Sequence, residues 1–133
     1  MWNKTVVTAS AALCLALSGG TASAIEEMTS GEVRYITGGV GENEKRELLD
    51  RASQYSLRIV TARKANGDFL ADCKVTIQRG GQTVLEAVMD GPILMARLPP
   101  GSYRVRTEFE GKAQERPVNI APKSLMNNLY LYW

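Results

Sequence analysis

The chain has 133 residues, with 16 lysines and arginines against 14 acidic residues and no histidine. This length suits one domain, and the near-neutral charge does not indicate a nucleic-acid partner. The lack of histidine excludes Ser-His-Asp and Cys-His pairs and histidine-containing zinc sites. Two cysteines cannot close a tetrahedral zinc shell without help from carboxylates. Composition therefore argues against most familiar classes of enzyme, and we expect no catalytic activity, no cofactor and no metal.

The first 24 residues have the pattern of a secretory signal peptide. Lys4 supplies a positive charge, residues 5–17 form an uncharged apolar run, and Ala22-Ser23-Ala24 matches a small-residue cleavage signal. An N-terminal core helix is the alternative, but it would not need that small-residue end. The run is short for a membrane span. We therefore expect cleavage after Ala24, a periplasmic location and no membrane span in the mature chain.

Cleavage at that point would leave Cys73 without a second cysteine, so no internal disulfide is expected. Cys73 alternates with Val75 and Ile77 on one face of a predicted strand. This position favours a small buried hydrophobe, and a redox or intermolecular thiol is the alternative.

Residues 25–54 are predicted to form a glycine-rich lead-in followed by one short helix. The helix, over 42–52, carries pairs at i,i+4 spacing with the acid first, which is the more stabilising order, and a narrow apolar stripe. These features are Glu42–Arg46, Glu47–Arg51, and the stripe Leu48, Leu49 and Ala52. Because so short a helix is not stable alone, we expect it to pack against another element.

The glycine-rich segment Gly38-Gly39-Val40-Gly41 lies directly before this helix. Such a loop can bind phosphate at a helix N-terminus, but no Gly-Lys-Ser/Thr follows it, and Glu42 and Glu44 would repel an anion. A flexible turn is the expected role. A docking element for a partner is the other interpretation, with Tyr35, Gly38, Gly39 and Gly41 as its candidate residues.

From residue 56 the apolar period changes to two, with turn residues between the segments. In the clearest segment Tyr103, Val105, Thr107 and Phe109 share one face. The predicted strands cover 56–60, 71–79, 83–89, 93–98, 102–109, 113–120 and 125–133. This pattern predicts an all-β fold, a seven-stranded antiparallel Greek-key sandwich over 55–133. A small closed barrel is the alternative architecture.

The chain contains L-P-P-G-S-Y-R-V at 98–105, Y-S-L-R-I-V at 55–60 and V-T-I at 75–77. Over 55–133 it resembles the carboxypeptidase regulatory-like domains, which are small transthyretin-like (prealbumin-like) β-sandwiches. As a whole it resembles small exported proteobacterial proteins that carry this domain alone. The resemblance implies the sandwich fold and no catalytic residues. Related sandwiches bind starch or other glycans, which keeps a carbohydrate ligand open.

Two groups of outward side chains are candidate binding residues. Tyr130 and Tyr132 alternate with apolar residues and lie about 7 Å apart along a strand, a spacing that suits sugar stacking or a protein contact. A solvated strand face, or contact with the helix, is the alternative. Outward-facing arginines would form a basic patch if their strands were neighbours, although nearby glutamates would interrupt it. These arginines are Arg58, Arg97, Arg104 and Arg106, and we keep Arg104 and Arg106 as candidate binding residues.

Together these features predict a non-catalytic periplasmic module for protein interaction or structural support. A carbohydrate-binding module that uses exposed aromatic residues is the alternative function. The expected partner is a periplasmic or envelope protein, or else a glycan, and not a nucleic acid.

Overall fold

A computed structural model of the protein describes residues 25–122 and 126–133, so the predicted signal peptide lies outside the described residues. The described residues form two β-sheets and one α-helix. The elements are β1 Met28–Ser30, β2 Val33–Gly38, α1 Glu42–Arg51, a 3₁₀ turn Ala52–Gln54, β3 Leu57–Ala62, β4 Lys74–Arg79, β5 Gln82–Val88, β6 Ile93–Arg97, β7 Gly101–Phe109, β8 Lys112–Ile120 and β9 Asn127–Tyr132. One sheet has the order β1-β2-β6-β3-β9 and the other β5-β4-β7-β8.

The predicted all-β, two-sheet architecture is confirmed, but the predicted count of seven strands is wrong. Nine strands are present in the described ranges, because the expected lead-in contains the hairpin β1–β2. Strand β2 pairs with β6 from Arg34 opposite Arg97 to Gly38 opposite Ile93. It is buried on both faces over much of its length, and a strand of this kind lacks the apolar–polar alternation by which strands are recognised.

One pairing also departs from the antiparallel prediction. Strand β9 runs parallel to β3, with Leu57 opposite Asn127 and Ala62 opposite Tyr132. The preceding strand, β8, belongs to the other sheet. The chain therefore changes sheets between β8 and β9, and β9 becomes an edge of the five-stranded sheet.

The main core lies between the inner faces of the two sheets. Apolar side chains at alternate positions of both sheets meet there and are almost completely removed from solvent. Fully buried members include Leu57, Ile59, Val75, Ile77, Leu85, Leu94, Val105 and Leu131. Cys73 belongs to the same cluster and has no exposed surface, so its predicted burial is confirmed. Burial raises the pKa of its thiol, Asp72 adds to this effect, and a hydrogen bond with Thr61 opposes it.

A second, smaller core lies on the outer face of the five-stranded sheet, beneath α1. It consists of the buried side chains of Ile25, Ile36, Leu48, Tyr55 and Met95. Leu48 is the buried residue of the helix, whereas its neighbour Leu49 is 63% exposed. Helix α1 is therefore held to the sheet through a narrow contact centred on one leucine.

Replacing Leu48 with alanine should lower the free energy of unfolding by about 2–4 kcal/mol, because it leaves a cavity between helix and sheet. The matched change Leu49→Ala on the next residue should cost less than about 0.5 kcal/mol. Urea unfolding followed by circular dichroism measures both. Equal losses in the two variants would contradict the observed packing of α1.

Cys73 should resist thiol reagents while the protein is folded. With Cys14 replaced by serine, reaction with 5,5′-dithiobis(2-nitrobenzoate) should be slower by about two orders of magnitude in native buffer than in guanidinium chloride, since the reagent reaches the buried sulfur only when the core opens. Absorbance at the thionitrobenzoate band follows the reaction. Rapid labelling of the native protein would show that the thiol is accessible.

Candidate functional site

The outer face of the five-stranded sheet is only half covered. Gly38, Ile93, Val60 and Tyr130 lie opposite one another across β2, β6, β3 and β9. Residues opposite one another on paired strands project to the same side of a sheet. Helix α1 packs over the β2 and β6 part of this face, and Val60 and Tyr130 lie beyond its edge.

The helix edge and the bare strands form a groove with a volume of about 260 Å³, which we call the apolar groove. It is lined by Lys45, Leu48, Leu49, Arg58, Val60, Phe69, Ile93 and Tyr130. Three large side chains at the groove are more than half exposed: Leu49 at 63%, Phe69 at 55% and Tyr130 at 52%. Single exposed apolar residues are common on proteins, whereas contiguous apolar patches are frequent at contact surfaces.

A second row of residues lies beside the groove on the same face of the sheet. Ala62 forms a β-bridge with Phe69 on one side and lies opposite Tyr132 on the other. The Cα atoms of Phe69 and Tyr132 are therefore about 10 Å apart, since two strand spacings separate them. Tyr132 is 48% exposed.

Both charged residues that line the apolar groove are cations. The Lys45 ammonium lies 4.9 Å from the centroid of the Phe69 ring, within the range of a cation–π contact. The Arg58 Nε donates a 2.7 Å hydrogen bond to Asn128 Oδ1, which holds the guanidinium at the surface of the sheet. The groove thus combines apolar walls with a positively charged border.

The structure does not bring the predicted arginines together with the tyrosines. Arg104 and Arg106 lie on the outer face of the four-stranded sheet, on strand β7. Arg104 pairs with Glu115 at 3.4 Å and Arg106 with Glu108 at 3.4 Å. Arg58 and Arg97 belong to the other sheet. The four arginines of the predicted basic patch therefore lie on two different surfaces. On one of them, the charges of Arg104 and Arg106 are neutralised by nearby carboxylates.

Tyr35 is wrong as a surface candidate. It is 8% exposed, on the inner face of β2, where its hydroxyl contacts Met28 Sδ at 3.9 Å. Gly38 and Gly39 are buried as well, and Gly41 is the exposed member of the predicted docking element. The period-two pattern that would have placed Tyr35 inside was hidden by Ile36, which is buried on the opposite face by α1.

The backbone N–H groups of the glycine-rich turn bind a carboxylate of the protein itself, that of Glu44 in the following helix α1. The backbone N–H groups of Gly39 and Val40 each donate a 3.1 Å hydrogen bond to Glu44 Oε1. Gly39 has φ 103°, and a Cβ there would lie 3.1 Å from the Ile93 side chain, so glycine is required. The turn therefore fixes the start of α1, and with it the position of the groove wall.

Tyr55 fixes the other end of the helix. Its hydroxyl donates a 2.6 Å hydrogen bond to Glu27 Oε2. Burial raises the pKa of Tyr55 well above its ordinary value, and the hydrogen bond and charge of Glu27 add to the effect, while Arg51 and Arg97 oppose it. Arg51 donates to the Ile25 carbonyl at 3.3 Å and pairs with Glu47 at 3.0 Å. These contacts join the segment before β1 to α1.

Sequence reasoning missed Phe69 and Val60 as parts of the site. Phe69 follows the Asn66-Gly67-Asp68 turn, where no periodicity gives its direction, and Val60 occupies the face that a half-buried strand would give to solvent. Leu49 was recognised only as part of the helix stripe. Their proximity depends on the bridge between Phe69 and Ala62 and on the placement of α1.

Within residues 25–122 and 126–133, no group of cysteine and acidic side chains is placed to hold a metal ion. The described part of the chain also has no helix with the length and apolarity needed to cross a bilayer. No protein-family model and no curated protein matches the chain.

The buried Tyr55 should make stability depend on pH in the alkaline range. Because its pKa is raised in the folded state, its contribution is complete below the unfolded value of 10.0 and declines as the pH rises above it, since only the unfolded chain ionises there. Urea unfolding from pH 8 to pH 11 should show a smaller decline in Tyr55→Phe than in the unmodified protein. An identical decline in both proteins would contradict this assignment.

Proposed function

We propose that this chain is a non-catalytic periplasmic module for protein interaction, and that the apolar groove is its docking surface. The observation that carries the proposal is the joint exposure of Leu49, Phe69 and Tyr130 at the edge of α1. The signal-peptide pattern of residues 1–24 supports export. The resemblance to carboxypeptidase regulatory-like domains supports a prealbumin-like sandwich. In its L-P-P-G-S-Y segment, L-P-P connects β6 to β7 and G-S-Y begins β7.

The partner we propose is an envelope protein that presents a few apolar side chains flanked by carboxylates. Aromatic residues beside a concave apolar surface are typical of the energetic centre of protein interfaces. The aliphatic walls, Leu49, Val60 and Ile93, offer contact area to apolar side chains. Lys45 and Arg58 at the border would favour acidic groups on the partner and oppose basic ones.

Carbohydrate binding is the second candidate, because Tyr130 and Tyr132 expose their rings on one face of an edge strand. Sugar recognition combines stacking with several hydrogen bonds to hydroxyl groups. The groove offers few polar groups beside Tyr130, since most of its lining is aliphatic or aromatic. Its chemistry therefore favours a protein segment over a glycan.

Photo-crosslinking in the native cells tests the proposal. p-Benzoylphenylalanine at position 49 or 130 should crosslink to the same partner, and the crosslinked segment should contain apolar residues flanked by acidic ones. Position 88 is the matched control, because Val88 is 53% exposed but lies on the other sheet. The double variant Lys45→Glu, Arg58→Glu should reduce the yield about tenfold through charge repulsion.

Three results would contradict a docking role of the groove: equal crosslinking from position 88, adducts of the chain with itself alone, or a yield that the charge reversal leaves unchanged. Titration with envelope glycans tests the second candidate. Quenching of tyrosine fluorescence that Tyr130→Ala and Tyr132→Ala abolish would establish carbohydrate binding instead.

A further inference from the structure

A second concave surface lies where the hairpin β1–β2 meets the four-stranded sheet, and it shares no lining residue with the apolar groove. The backbone N–H of Glu86 on β5 donates a 3.0 Å hydrogen bond to Ser30 Oγ, which joins the hairpin to β5. The adjacent pocket has a volume of about 390 Å³. It is lined by Gly31, Glu32, Val33, Arg79, Gln82, Thr83, Val84, Pro99 and Tyr103.

Arg79 is held in a defined position at this pocket. Its guanidinium carbon lies 5.4 Å from the centroid of the Tyr103 ring. Its Nη2 donates to the Pro100 carbonyl at 3.3 Å, and its Nη1 donates to the Tyr103 hydroxyl at 3.5 Å. That hydroxyl donates in turn to the Pro99 carbonyl at 2.6 Å. The ring and the turn together orient the guanidinium before any ligand is present.

The turn itself is shaped to accept the arginine. A Cβ at Gly101 would lie 2.8 Å from Arg79 Nη2 and 2.9 Å from its guanidinium carbon. A Cβ does not come so close to another heavy atom, so a larger residue at position 101 would push the guanidinium out of its present position. The close approach places the guanidinium against the backbone of this segment, while the Arg79 side chain as a whole stays exposed.

Arg79 has no ion-pair partner within the described ranges of the chain. A guanidinium carries five N–H donors in a planar fork, and the two hydrogen bonds to Pro100 and Tyr103 leave three of them for a ligand. An oriented arginine with free donors matches the two oxygens of a carboxylate.

We propose that this pocket binds the carboxylate group of a small organic acid, with Arg79 as its direct partner. The walls formed by Val33, Val84 and Pro99 would contact the apolar part of such a ligand. Glu32 lines the same pocket, and its negative charge opposes a ligand with two negative charges more strongly than a ligand with one. This combination selects a monocarboxylate over inorganic phosphate.

The surroundings of the pocket also attract anions. An adjoining open depression shares Glu32 and Pro99 with it and is bordered by Arg34 and Arg97. These two arginines lie directly opposite each other on β2 and β6, and like charges in that relation repel. Both are exposed, so they would draw a carboxylate toward the pocket through long-range attraction.

Nuclear magnetic resonance titration of the ¹⁵N-labelled full chain with butyrate, through the millimolar range, tests the proposal. We expect saturable shifts of the Arg79 Nε–H and of the amides of residues 31–33 and 82–84. Neutral butyramide should leave these signals unchanged, and phosphate should bind more weakly than butyrate. Arg79→Gln should weaken butyrate binding tenfold or more, and Arg79→Lys should weaken it less, because it keeps the charge but loses the fork.

Arg104→Gln is the matched control, since it removes an exposed arginine that already pairs with Glu115 on the other surface of that sheet. It should leave butyrate affinity unchanged, and thermal unfolding should confirm that all variants are folded. The proposal is overturned by an absence of saturable shifts in the unmodified protein, by equal affinity in Arg79→Gln, by equal binding of butyramide, or by tighter binding of phosphate. Each result is independent of crosslinking at the apolar groove.

Discussion

The burial of Ile36 and Met95 beneath helix α1 is the contact on which the arrangement of the molecule's surface depends. These side chains project from β2 and β6 on the face opposite the main core. A sheet face that carries large apolar side chains must be covered, and α1 covers this one through Leu48. The helix covers β2 and β6 but does not extend over β3 and β9, so it leaves Val60 and Tyr130 uncovered. The side of the helix that faces these two residues forms one wall of the apolar groove.

Short-range contacts at both ends give a ten-residue helix a fixed position. Isolated helices of this length are marginal in water, and Leu48 is its single buried side chain. At its start Glu44 accepts hydrogen bonds from two backbone groups of the glycine turn. Near its end Arg51 and Tyr55 hold the segment that precedes β1. The groove thus has a wall whose position is specified independently of any partner.

The pocket that contains Arg79 is positioned by a restricted backbone and not by a helix. The connection between β6 and β7 uses two prolines to restrict the backbone, and Gly101 at the start of β7 lets the Arg79 guanidinium lie close to the backbone. Tyr103 is buried and bonded to that turn, and its ring supports the Arg79 guanidinium. Restriction of a long charged side chain before binding reduces the entropy that a ligand must overcome. The two surfaces therefore differ in kind. The apolar groove consists mainly of exposed apolar side chains, whereas the second pocket contains an arginine held in a fixed orientation.

The sequence by itself determined those features that depend on local periodicity and turn chemistry. Alternation placed Tyr103, Val105 and Thr107 on an inner face and Tyr130 and Tyr132 on an outer face, and the structure has both arrangements. The pattern of polar and apolar residues also located helix α1 within a residue of its observed ends.

Only the tertiary structure decided which elements meet. Strand β2 was not predicted because one of its faces is buried by the helix and the other by the opposite sheet. Its sequence therefore lacks the alternation of apolar and polar residues that is typical of a strand with one exposed face. The separation of Arg104 and Arg106 from Tyr130 follows from sheet assignment, and the meeting of Phe69 with Leu49 follows from a β-bridge and the placement of a helix. Periodicity reports which side of an element is buried, whereas a site depends on contacts between residues far apart in the chain, which no local pattern encodes.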